Sequence, residues 1–163
     1  MIKSRKLFLL SLFLLVLFES CDSSIEFIDF KSVNNTTWTT EDTLAFSFAV
    51  EDTITPKNLF LHIRNNKDYE FNNLFVITKL KFPNNQVIID TLQYEMADKN
   101  GKLLGDGLSS IKESKLFYKE NKVFPVSGTY TMSVYQAMRR QGDIASTSLN
   151  GVNEIGFSIE KRN

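Results

Sequence analysis

The chain has 163 residues, with 19 basic and 19 acidic side chains, one histidine and one cysteine. This balance offers no basic field for nucleic acid, and a single cysteine excludes a disulfide within the chain. Fourteen Phe and five Tyr supply the large apolar areas from which a core can be built without such a staple.

Lys3, Arg5 and Lys6 open the chain, and Leu7 to Phe18 follows as an apolar run interrupted by Ser11. The run is about a dozen residues, or roughly 18 Å as a helix. A bilayer core of about 30 Å needs closer to 20 residues. Basic flank, short apolar stretch and Ser20 next to Cys21 are therefore read as a lipoprotein signal peptide over 1–20, with Cys21 as the lipidation site. An aliphatic residue is preferred three positions before such a cysteine; Phe18 stands there, followed by Glu19. Covalent acyl chains hold a protein to a membrane when more than one is present, which a multiply acylated N-terminus provides. Processing at Cys21 leaves roughly 140 residues, enough for one domain with one sizeable core.

Residues 21–24 form a very short lipidated tether, and 25–163 are read as a single domain. Ile25 to Lys31 alternates as a first strand close to the anchor. A polar stretch with two Asn-x-Thr sequons, at Asn34 and Asn35, leads to Trp38. Leu44, Phe46, Phe48 and Val50 alternate with Ala45, Ser47 and Ala49, the cleanest half-buried strand in the chain. Thr55 to Asn58 is a turn, and Leu59, Leu61 and Ile63 then alternate with Phe60, His62 and Arg64. Asn65 to Asn73 is a polar loop. Leu74 to Phe82 and Val87 to Met96, joined at Pro83 to Gln86, predict a hairpin.

Gly101, Gly105 and Gly107 punctuate the next connection. Ile111 to Val123 fits a helical face or a strand, and the surroundings favour a strand. Thr129 to Met138 is a strand, Arg139 to Gly151 a polar loop, and Val152 to Lys161 the closing strand. Eight or nine strands joined by short turns predict an all-β fold, an antiparallel β-sandwich.

No residue pattern points to catalysis, a cofactor or a metal. His62 has no second histidine or cysteine near it in sequence and reads as structural or surface. Ser109 and Ser110 lack the histidine and orienting group that a nucleophile needs. Asp42-Thr43, Asp52-Thr53 and Asp90-Thr91, each followed by an aliphatic residue, fit a loose O-glycosylation pattern and make Thr43, Thr53 and Thr91 candidates. Asp at strand ends and Thr within strands explain the same pattern without a glycan. Tyr69 and Phe71, in the polar loop, are a candidate partner surface; packing over the end of the sandwich is the alternative.

Taken together, the chain resembles the gliding-motility lipoprotein GldH family of the Bacteroidetes. The resemblance rests on Asn58-Leu59-Phe60-Leu61-His62-Ile63-Arg64-Asn65-Asn66, on Tyr69-Glu70-Phe71-Asn72-Asn73-Leu74-Phe75 and on Asp90-Thr91-Leu92. Met96-Ala97-Asp98 with Gly101, Leu104-Gly105 with Gly107, and Ser127-Gly128-Thr129-Tyr130 continue it. Gln136-Ala137-Met138-Arg139 and the closing Gly151-Val152 to Lys161 complete it. Leu103 stands where the family commonly has Trp, Asn150 replaces a proline, and Arg140 to Ser148 looks like an added loop. The resemblance implies a non-catalytic envelope lipoprotein needed for gliding and tied to type IX secretion. Its implied partners are the membrane, through its lipid, and envelope proteins of that machinery. With only Asp22 acidic after Cys21, the outer membrane facing the periplasm is the expected place. A carbohydrate- or peptidoglycan-binding module is the second reading, and a small hydrolase the third.

Overall fold

A computed structural model describes residues 24–107, 110–139 and 148–162. Ten strands run in chain order: β1 (Ile25–Ser32), β2 (Thr37–Trp38), β3 (Leu44–Val50), β4 (Lys57–Asn65), β5 (Asn73–Lys81), β6 (Val87–Glu95), β7 (Lys112–Lys122), β8 (Gly128–Gln136), β9 (Leu149–Asn150) and β10 (Val152–Lys161). One sheet has the order β1-β10-β4-β7, a second β3-β8-β5-β6, and β2 pairs with β9 in a two-stranded ribbon. Every pairing is antiparallel. The two four-stranded sheets enclose one apolar core, so the expected all-β sandwich stands.

Alternation explains which residues enter that core, because successive side chains on a strand point to opposite faces. Phe46, Phe48 and Val50 of β3 are buried while Ala45, Ser47 and Ala49 are exposed. Leu59, Leu61 and Ile63 of β4 face Ile159, Phe157 and Ile155 of β10, and all six side chains are buried. Phe157 lies at the middle, with ring centroids 6.1 Å from Phe27, 6.1 Å from Phe46 and 5.6 Å from Phe48.

The predicted hairpin is β5–β6, turned at Asn85, whose φ of 66° suits an asparagine. The ambiguous segment is strand β7, paired with β4 and broken by register shifts near Leu59. The count exceeds the expected eight or nine because β2 and β9 are two-residue strands, each too short to leave a periodic trace. Leu149 and Asn150 fall inside the stretch read as a loop; Leu149 is buried and pairs with Trp38. The tight turn at Gly151 makes this possible. Its φ is 78°, and a Cβ there would stand 2.3 Å from the Tyr69 backbone nitrogen.

Strand register sorts the molecule into two ends. The start of β1 lies beside the end of β10 (Ile25 opposite Glu160), which lies beside the start of β4 (Lys161 opposite Lys57) and the end of β7 (Lys57 opposite Lys122). The β3–β4, β5–β6 and β7–β8 turns are at this end too. The opposite end carries Trp38, the loop from Asn66 to Asn72 and the Gly-punctuated connection after β6.

Candidate functional site

Cys21 lies outside the described residues. Ser24, the last residue of the expected tether, is already tied to the sheet: its carbonyl accepts the Lys161 N–H at 2.8 Å. Only Asp22 and Ser23 separate this pinned residue from Cys21. The end of the sandwich that holds the start of β1 is therefore the end nearest the expected tether, the tether end.

That end is closed by aromatic rings and one buried ammonium. Phe48, Phe82, Phe124 and Tyr130 pack together, Phe82 and Phe124 each 5.0 Å from Tyr130. Tyr130 donates its hydroxyl to the Val126 carbonyl at 2.7 Å, which fixes the β7–β8 turn. Lys57 is 5% exposed and donates to Glu26 Oε1 at 2.6 Å and Asp52 Oδ2 at 3.2 Å. Burial alone would depress its pKa; the two carboxylates outweigh that and raise it, so the buried ammonium keeps its charge. A cavity beside it, lined by Glu26, Phe27, Val50, Asp52, Lys57 and Phe124, measures about 70 Å³. Small-molecule sites occupy about 300–1,000 Å³, so this one suits a few waters and no sugar ring.

The outer face of the β1-β10-β4-β7 sheet carries a second cluster. His62 Nε2 is 2.9 Å from Ser158 Oγ, and Nδ1 is 3.1 Å from Glu113 Oε1. Arg64 donates to Glu113 at 2.8 Å and to Glu154 at 2.6 Å, and its guanidinium lies 4.0 Å over the Phe30 ring. This serine–histidine–carboxylate order is the one acyl-transfer enzymes use. Here Ser158 is fully buried and His62 is 4% exposed, so both side chains are packed into the sheet. Of the two expected placements, structural or surface, His62 is buried rather than at the surface. The serine was not anticipated, because it is 96 residues away and meets His62 only through the β4–β10 register. Gly156 completes the packing: a Cβ there would meet Phe30 at 2.6 Å.

His62 gives the domain a defined pH response. Burial lowers its pKa, against the pull of Glu113, so the folded protein holds the imidazole neutral. The unfolded chain binds a proton near pH 6.5, so it binds more protons than the folded one just below that pH. The contribution is complete above about 6.5 and is lost as pH falls through the folded pKa. Urea unfolding at about pH 7.5 and about pH 5.5 should show lower stability at the acidic pH. The difference should shrink in His62→Gln, and an unchanged difference would assign it to another group.

The three candidate threonines are not brought together. Thr43 is exposed before β3, Thr53 is half-buried in the β3–β4 turn, and Thr91 is exposed on the outer face of β6. Each preceding aspartate has a structural task. Asp42 accepts from the Thr39 hydroxyl at 2.7 Å and the Thr39 N–H at 3.0 Å, which hold its pKa down. Asp52 accepts from the Thr55 and Ile54 N–H groups, at 3.0 and 2.9 Å, which likewise lower its pKa. Asp90 accepts from the Tyr118 hydroxyl at 2.8 Å and Lys119 at 2.9 Å, latching edge strand β6 to edge strand β7.

Tyr69 and Phe71 are in ring contact at 6.1 Å at the far end. Tyr69 is 5% exposed and donates its hydroxyl to the Asn73 carbonyl at 2.8 Å; Phe71 is half-buried against the core. The pair thus packs over the end of the sandwich, and Phe71 is the member with surface to offer. Among the described residues, the exposed aromatic ring is Phe117, at 58%, tilted against Phe60 at 4.5 Å on the outer face of β7. Among the described residues no helix is long and apolar enough to cross a membrane, and no three or more His, Cys, Asp or Glu gather to hold a metal ion.

Comparison with known proteins adds four findings. The family model described as GldH lipoprotein matches residues 26–159. The gliding motility lipoprotein GldH homolog of Christiangramia forsetii is 43% identical over 151 residues, 92% of this chain and 92% of that one. The gliding motility lipoprotein GldH of Flavobacterium johnsoniae is 39% identical over 162 residues, 99% of this chain and 98% of that one. Among solved structures, the infectious bursal disease virus VP2 subviral particle overlays at a TM-score of 0.37 with 14% identity, over 86% of this chain and 34% of that one, too loosely to bear on fold or function.

Proposed function

The chain belongs to the GldH lipoprotein family, and on that footing we propose that it is a membrane-anchored envelope lipoprotein serving gliding motility as a non-catalytic accessory component. The observation that carries the reading is the similarity to the Flavobacterium johnsoniae protein, which runs through leader and sandwich alike. Residues 1–20 act as the signal peptide, 21–24 as the tether acylated at Cys21, and 25–163 as the single β-sandwich domain. The outer membrane, facing the periplasm, is its place, and type IX secretion is the process it works beside.

The fold supports an accessory role in physical terms. A fully buried Ser158 and an enclosed His62 make the serine–histidine pair part of the packed sheet, which suits a rigid accessory domain. With the tether end toward the membrane, the far end, with half-buried Phe71, is presented to envelope proteins of the machinery. Thr43 and Thr91, both exposed, are the better-placed of the three threonines for a glycan.

Crosslinking in intact cells followed by pull-down of the native lipoprotein tests this reading. Envelope proteins of the gliding and secretion machinery should be recovered, and loss of the gene should abolish spreading. Recovery of no envelope protein above background, with spreading unimpaired, contradicts it.

A further inference from the structure

We propose that the tether end of the sandwich is itself a lipid-contact surface, with Ile54 at the tip of the β3–β4 turn seated in the headgroup–acyl boundary of the bilayer. The inference rests on the acylation of Cys21 proposed above and adds which residues touch the lipid.

Ile54 is 83% exposed, the most exposed large apolar side chain among the described residues. A β-branched aliphatic residue is an unusual occupant of a tight turn, where Gly, Asn, Asp, Pro and Ser supply the needed geometry. The turn around it is firmly built. Asp52 accepts from the Ile54 N–H at 2.9 Å and the Thr55 N–H at 3.0 Å, and Lys57 holds Asp52 from below at 3.2 Å. The structure therefore fixes an isoleucine pointing away from the protein. Ile25 and Val123, also exposed, are at the same end.

Chain length decides what occupies this surface. Cys21 is four residues from Ile25, and a fully extended chain spans at most about 3.5 Å per residue, or about 14 Å. An acylated Cys21 sits at the bilayer surface, so the end from which β1 starts is held within that distance of the headgroups. A protein partner would have to enter a gap of that width, whereas lipid is already there.

Charge fits the same occupant. Lys81, Lys161 and Arg162 are exposed at this end, and Lys122 lies 5.5 Å over the Phe82 ring. Glu26 and Asp52 are engaged by Lys57 and Glu160 by Lys115, and exposed Glu51 and Glu120 are the acids at this end that oppose the cations. Long basic side chains around apolar tips are the arrangement by which surface-bound proteins meet anionic headgroups.

The test uses the full chain extracted with its modification and reconstituted into vesicles of phosphatidylethanolamine and phosphatidylglycerol. Ile54→Cys carries an environment-sensitive dye, and Asn100→Cys, exposed at the far end, carries the same dye as reference. The dye at position 54 should shift to the blue on reconstitution and be quenched by brominated lipid, while the dye at position 100 does neither. Equal, water-like emission at both positions, in protein whose intact mass includes acyl chains, overturns the lipid contact and leaves the anchored reading standing. A mass without acyl chains, in protein that fails to float with the vesicles, overturns the anchored reading and this inference with it.

Discussion

Phe157→Ala should lower the stability of the purified protein by about 3–5 kcal/mol, the range for removing a buried aromatic ring. Phe157 is fully buried in the middle of β10, and its ring lies against Phe27 from β1 and Phe46 and Phe48 from β3. It thus bridges both sheets and the strand that leads to the tether. Those neighbours sit on separate strands and cannot collapse into the vacancy without shifting register. A domain of this size has about 5–15 kcal/mol in total, so one substitution consumes a large share. The thermal midpoint should fall by on the order of 10 °C. Ile28→Ala, at a position 45% exposed on the outer face of β1, should change stability by less than about 0.5 kcal/mol. Similar losses at both sites would mean that Phe157 is not the centre of a shared core.

Much of this arrangement is legible in the sequence where period and burial coincide. β3 is the clearest case, since its apolar residues fall on one face and its small ones on the other. β10 is read almost as well, and the β5–β6 hairpin follows from the turn between two apolar runs. β7 is less clear for a physical reason: bulges in its pairing with β4 interrupt the alternation that identifies a strand. β2 and β9 are not legible at all. Two residues carry no period, and their pairing depends on the Gly151 turn bringing Leu149 to Trp38.

The same division holds for the site. The reading of Cys21 and its leader rests on local sequence alone and falls outside the described residues, while Asp52-Thr53-Ile54 reads only as a glycosylation pattern and not as the turn that holds Ile54. The serine–histidine–glutamate contact is not local. Glu113, His62 and Ser158 meet because β7, β4 and β10 are neighbours in that order, and strand order is a property of the whole fold. Lys57 reads as an ordinary surface lysine until Glu26, from a strand two positions away in the sheet, is placed against it. Tyr69 reads as a loop aromatic, but the backbone passing Gly151 folds it inward.

Cys21→Ala should have the largest effect of any single change on where the protein resides. Two proposed features hold the domain to the membrane, the acyl chains on Cys21 and the apolar tip at Ile54. Each buried methylene of an acyl chain contributes about 0.8 kcal/mol, so multiple chains far outweigh one isoleucine side chain, worth about 1.5–3 kcal/mol when fully buried. The tip orients a domain that the lipid retains. The direct test is membrane fractionation of the Cys21→Ala protein, reading the pool whose leader has been removed. This pool should move from the membrane to the soluble fraction while the unaltered protein stays bound. Retention of the leaderless Cys21→Ala protein in the membrane fraction, without a protein partner, would contradict it.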